Sequence, residues 1–462
     1  MSGVKQAACR VPLDRAVPAL MVKIGQYPVH SGGLGVLRSL GRCGVPVYAI
    51  TEPGLPPAAV SRYASGRFVS RATGRERPDS LIPGLMKAGR HIGTRSVIVS
   101  IDDEAAVLVA EHREELSEHF LLPDVAVGLP GRLASKTGLF ELCREHGIPA
   151  PASVTPGSVD EVAEFAATAR FPVVVKNADP WLRRRHPIVP NTTVLDSPGE
   201  LLALTGRGSG DSSGDGSGPG GGGAPQRAPG IILQEYLPGE HAEDWISHLY
   251  ANADSDCLVL LTGRKVRSWP PGTGLTASAY AAFNPELAAL TERFCKEIGY
   301  SGVGDLDWRL DLRDGQYKLV DFNPRPGNQF RLFETEAGVD VVRAMHLDLT
   351  GLDVPRGREL DGRRIVVEHV DVPARIVYWM RGRRTPPASP ADPASPADPA
   401  GRGPAHHQPE PGSTEYAWLA TDDPLPFFVM IPHALRSAAG ALGRQLRGLA
   451  RESWQRWRRG SQ

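Results

Sequence analysis

Residues 205–230, TGRGSGDSSGDGSGPGGGGAPQRAPG, carry almost nothing apolar. A stretch of that composition cannot bury enough surface to offset the entropy of ordering it, so no core runs through it and it reads as flexible coil. A second such stretch, 384–413, contains a doubled ASPADP unit, and proline at that density makes an extended spacer. Around them the 462 residues are read as an N-terminal tail (1–20), a first folded block (21–127) and a second (128–350) that carries the glycine-rich insert. A closing segment (351–383), the spacer and a basic C-terminal segment (414–462) follow.

The first block begins MVKIG, then PVHSGGLG, a helical stretch and VPVYAI, with SVIVSI later. Strand, glycine turn, helix, strand is a βαβ opening, and it predicts an open parallel sheet of the α/β class. Gly32, Gly33 and Gly35 miss the GxGxxG spacing, so a structural tight turn is the expectation there and a dinucleotide site is not. The second block mixes short helices and strands and reads as α+β. KTGLFELCREHGIPAP is a helix closed by Gly147, with Pro149 forbidding its continuation. NPELAALTERFCKEIG is a helix capped by Asn284, with Leu287, Leu290, Phe294 and Ile298 on one stripe.

Lysine plus arginine equals aspartate plus glutamate at 52 each, which gives no support to nucleic-acid binding. The five cysteines are odd in number, scattered, and without a CxxC pair. That speaks against a disulfide framework or zinc site and for a reducing cytoplasm. The N-terminal residues lack the apolar core of a signal peptide, and no run of 18 apolar residues occurs, so a cytoplasmic protein is expected.

Chemistry concentrates in GVGDLDWRLDLRDGQYKLVDFNPRPGN, residues 302–328. Two strand-like runs flank an Asp-Gly turn, the signature of a β-hairpin. Asp321, Asn323 and Arg325 recur every second residue and so share one face of an extended chain, and Asp307 interrupts the opposite run. Carboxylates and an amide on one face call for a hard cation such as Mg²⁺. The competing reading is a solvated edge whose charges pair with Arg309 or Lys318. Register separates the two. A two-residue turn would set Asp307 and Asp321 on opposite faces; the expectation is a three-residue loop, Arg313-Asp314-Gly315, with Gly315 where glycine is wanted, which makes paired positions sum to 628 and sets the two opposite each other on one face.

Three further segments join it. Lys176 ends the apolar run FPVVVK, where a point charge on a rigid strand end suits a phosphate. IILQEYLPGEHAEDW runs from an apolar strand through a Pro-Gly turn into several acids, as a crossing between two subdomains would. GRKVRSWPPGTGLTASA places Lys265 and Arg267 ahead of a glycine-rich loop near Thr273.

In this order the segments resemble the ATP-grasp superfamily over residues 23–351, and within it carboxylate–amine ligases related to D-aspartate ligase. The resemblance implies a Rossmann-like pre-ATP-grasp domain followed by two α+β subdomains clasping ATP. It implies phosphate contacts from Lys136 and Lys176, adenine held along Gln234, Glu235, Tyr236 and Leu237, and ribose hydroxyls on Glu240 or Glu243. Mg²⁺ (or Mn²⁺) would lie on Asp307, Asp321 and Asn323, with Arg325, Lys265 and Arg267 stabilising developing charge. Two departures stand out: aspartates replace the family's usual metal-binding glutamates, and the insert at 205–230 is foreign to the core fold. The implied reaction joins a small-molecule carboxylate to an amine through an acyl phosphate, releasing ADP. Its rivals are phosphorylation of bicarbonate, as in carbamoyl phosphate synthases and carboxylases, and a nucleotide-binding scaffold or sensor without turnover.

From Ala434 onward the chain has seven arginines and one acid, leucines at helical spacing, and Trp454 and Trp457. A basic amphipathic segment over 434–462 would lie on an anionic membrane or dock on protein. A homodimer is a further expectation.

Overall fold

Strands β1 (Ala19–Val22), β2 (Val47–Thr51) and β4 (Ser96–Ser100) are short apolar runs buried on both faces, as strands of a helix-covered parallel sheet must be. In the computed structural model they join β3 (Ala64–Val69) and β5 (Phe120–Leu121) in an all-parallel sheet of order β3-β2-β1-β4-β5. The structure describes residues 9, 11–73, 76–178, 187–189, 192–206, 230–237, 242–272, 274–380 and 412–436. Gly32, Gly33 and Gly35, expected in a tight turn, instead lie inside the helix Ser31–Gly41. His30 caps that helix, its Nδ1 accepting from Gly33 N at 3.0 Å, so the turn ends one residue earlier than the glycines suggest.

The second sheet is small and antiparallel: β6 (Ser153–Val154), β9 (Ile231–Glu235), β7 (Val173–Asn177) and β8 (Thr192–Leu195), in that order. Its own core of Val162, Val175, Leu201, Ile231 and Leu233 is separate from the others. The expected insert 205–230 overlaps the end of the helix Pro198–Gly206, and residues 207–229 lie outside the described residues.

The third sheet has seven strands, ordered β14-β13-β10-β11-β12-β15-β16. They are β10 (Ala242–Ala251), β11 (Cys257–Trp269), β12 (Leu275–Ala281), β13 (Gly302–Asp311), β14 (Gln316–Asn323), β15 (Arg364–Val366) and β16 (Thr414–Tyr416). The helix Pro285–Glu297, capped by Asn284 as read, covers one face with Leu287 and Phe294 against Trp245, Leu306 and Trp308. The opposite face is divided. At one end Ile246, Tyr250 and Val303 pack into the main core with the parallel sheet, and towards the other end the same face turns polar.

One expectation is corrected here. Cys9 and Cys43 form a disulfide, with Cα atoms 5.0 Å apart; scattered spacing did not prevent pairing because the fold brings positions 34 residues apart together. The segment 414–462, for which a membrane or a protein surface was expected, begins packed on the body of the protein. Its β16 pairs in parallel with β15, Trp418 is fully buried, and Asp423 pairs with buried Arg38. Residues 437–462 lie outside the described residues. Among the described residues no helix is long and apolar enough to cross a membrane.

Candidate active site

The hairpin β13–β14 brings Asp307 directly opposite Asp321, Leu306 opposite Phe322 and Asp305 opposite Asn323, all on the sum 628. The route differs from the expected one. Nearer the turn the pairs sum to 627, closing on Asp311 and Gln316, so the loop has four residues, Leu312 to Gly315. Gly315, at φ +74°, takes the left-handed position, which glycine adopts without a side-chain penalty. A β-bulge at Val320 then inserts one residue and restores the register. Val320 and Asp321 therefore both line the cleft although they are neighbours in sequence. Under an unbroken 627 register Asp307 would have faced Val320.

The cleft lies between the small sheet and the polar end of the large one. Lys176, Val174 and Gln234 line one wall; Asp244, Lys265, Asp307, Arg309 and Asp321 line the other; Glu235, Tyr236 and Leu237 link the two. Lys176 is buried at the end of β7. Burial pushes its ammonium down to about 8; Lys136 adds to that, and Asp321 and Asp307 oppose it. Burial would raise Asp321, but Lys136, in direct contact, and Lys176 overcome it and hold the carboxyl at about 2. Asp307 is held above the usual carboxylate range by burial and by Asp305 and Asp321, against the pull of Lys265 at 2.7 Å.

Behind this pair sits a second network. Burial opposes the charge on Asp305, yet His248 (2.8 Å) and Arg325 (3.1 Å) hold its carboxyl below the usual range. Arg325 also donates to Asn323 Oδ1 (2.9 Å) and pairs with Asp103 (3.1 Å), at the start of the helix Asp103–Glu111 beside the parallel sheet. Arg325 thus fastens the hairpin to the N-terminal block.

Not every predicted residue reaches the cleft. Arg267 is buried against Asp371 at 2.7 Å, because register shifts on either side of it break the two-residue alternation along β11. Glu243 pairs with Arg264 (2.6 Å) and accepts from Trp245 Nε1, on the opposite face of β10 from the cleft-lining Asp244. Asn323 lies two pairs beyond the acids on the same face, donating to the Asp305 carbonyl. Gln234 donates to Ser153 Oγ, and Glu235 pairs with Arg313 at 2.7 Å. Glu240 and Thr273 lie outside the described residues. Asp244, Asp305, His248 and Asp103 were missed, and Arg309 was read only as a partner for the hairpin's charges. Asp305 had a signal, lying two residues before Asp307 on the same strand face. Asp103 had none, being 222 residues from its partner.

The donor set fits Mg²⁺. Among the described residues no three His, Cys, Asp or Glu side chains converge as a metal cage, while two opposed carboxylates face the lysines. Mg²⁺ is commonly held by one or two carboxylates and completed by substrate phosphates.

No family model matches the chain. Its sequence is similar to a D-aspartate ligase of Enterococcus faecium, 24% identical over 258 residues, covering 54% of this chain and 57% of that protein's length. Among solved structures, N5-carboxyaminoimidazole synthetase from Staphylococcus aureus complexed with ADP is similar at TM-score 0.54 and 12% identity, over 80% of this chain and 87% of that one. L-amino acid ligase from Bacillus licheniformis is similar at TM-score 0.51 and 14% identity, over 73% of this chain and 75% of that one. The small antiparallel sheet, the seven-stranded mixed sheet and the cleft between them match the ATP-grasp fold of these solved structures. Within that class the sequence resembles D-aspartate ligase, and the chain spans little more than half the length of that relative.

Proposed function

We propose that this chain is an ADP-forming ligase that joins a small carboxylate to an amine through an acyl phosphate. The observation that carries the reading is the cleft itself, with buried Lys176 on one sheet and the opposed Asp307 and Asp321, with Lys265, on the other. The five-stranded parallel sheet is read as the Rossmann-like domain preceding an ATP-grasp domain over residues 128–350.

Adenine would lie along Glu235–Leu237, which line the cleft. The triphosphate would draw on Lys176 and take over Lys136 and Lys265, which now neutralise Asp321 and Asp307. Those two aspartates would then hold Mg²⁺ or Mn²⁺, which supplies charge neutralisation on the phosphate oxygens. The carboxylate substrate would attack the γ-phosphate, and the amine would displace phosphate from the acyl phosphate. Arg325, held by Asp305 and Asp103, positions Asn323 and the hairpin beside the reacting groups. Arg267 has no part in this scheme.

Purified protein incubated with MgATP and a matrix of carboxylates and amines should release ADP, and hydroxylamine should trap the activated acid as a hydroxamate. Release of AMP would overturn the reading. ADP formation that needs bicarbonate in place of an organic acid would favour the carboxylase-like rival.

A further inference from the structure

Residues 425–436 form a helix with the sequence LPFFVMIPHALR, whose only polar side chains are His433 and Arg436. Its inner face packs Met430, with Phe427 and Ala434, onto the main core. Its outer face is also apolar: Leu425, Phe428, Ile431 and Leu435 are 59%, 61%, 38% and 65% exposed and recur every three or four residues along one stripe. His433 Nε2 lies 3.0 Å from the carbonyl of Leu55, and exposed Leu55 extends the apolar surface. A helix apolar on all sides belongs in a core or against lipid, and an unbroken exposed stripe marks an interaction surface. The stripe is held firmly, because Asp423, two residues before the helix, is buried against Arg38, Ser61 and the Arg62 amide.

We propose that this stripe docks the protein on an anionic lipid surface. The choice of occupant rests on charge. The chain continues from the helix through residues 437–462 with six arginines, one glutamate and two tryptophans. A stripe of large apolar side chains followed by six arginines between residues 444 and 459, with tryptophans at 454 and 457, is met by a bilayer's anionic headgroups and acyl boundary together, with no need of a shaped partner. This reading is independent of the ligase chemistry, since no residue of the stripe lines the cleft.

Co-sedimentation of the full chain with phosphatidylcholine vesicles, with and without phosphatidylglycerol, tests it. Partition should be about tenfold or more stronger on the anionic vesicles and should fall in high salt. The double variant F428S/L435S should lose about tenfold in partition while keeping its thermal unfolding midpoint. If that variant does not fold, the unmodified chain decides through a blue shift of tryptophan fluorescence specific to anionic vesicles. Equal or absent partition on both vesicles overturns the proposal. So does light scattering that shows a dimer which F428S/L435S converts to monomer, because a second copy would then cover the stripe.

Discussion

Lys176 shows how far a single residue could be read in advance. Four apolar residues before a lysine mark a strand end, but whether its ammonium snorkels to solvent or is buried depends on what covers the strand. Here β9 and the cleft wall cover it, and burial brings its titration to about 8. This pKa lies below the unfolded value of about 10.4, so the folded state binds fewer protons between the two. Its contribution to stability is therefore least below pH 8 and rises with pH across that window. Nucleotide binding should follow the opposite course, because only the charged form attracts phosphate. The dissociation constant for MgATP should rise above pH 8 by up to about tenfold per pH unit. Lys176→Arg, whose guanidinium keeps its charge, should flatten that profile, and calorimetric titration over pH 7–9.5 checks it. A wild-type profile that is flat above pH 8 would refute the assignment.

At the scale of elements, the hairpin outcome and the hairpin reason part company. Alternation and the Asp-Gly turn correctly set Asp307 opposite Asp321, yet the loop is one residue longer than expected and the bulge at Val320 makes up the difference. The loop after β14 matters equally. A Cβ on Gly327 would come within 2.6 Å of Asp305 Cγ and 2.8 Å of His248 Cε1. Gly327→Ala should cost about 1–3 kcal/mol as an overpacked contact. Displacing Asp305 from Arg325 should lower the rate of ADP release by more than that loss of folded protein explains. Thermal unfolding and turnover of the same preparation separate the two effects.

Across the whole molecule, the C-terminal strap joins blocks that the chain's order keeps apart. Arg38 donates to Asp423 and to the carbonyls of Ala417 and Trp418, and Arg42 pairs with Asp422 at 2.9 Å. Asp423→Ala would strand a buried guanidinium and should destabilise the fold by about 3–5 kcal/mol. Because the strap lies outside the cleft, nucleotide affinity at a temperature where the variant stays folded should be unchanged. A thermal shift within error of wild type would mean that Arg38 is solvated in solution.

The amino-acid sequence by itself determined what is local: the buried parallel strands, the Asn284 cap, the hairpin and the acids repeating along its face. These follow from side-chain period and backbone preference within a few residues. Only the tertiary structure decided which of those charges meet. The bulges around Arg267 turn it from the cleft to Asp371, Glu243 and Asp244 part to opposite faces of β10, and Arg325 finds Asp103 on a helix of the N-terminal block. Each outcome depends on how whole sheets pack and where a ladder slips by one residue. A slip by one reverses the face of every following side chain without changing a single local preference.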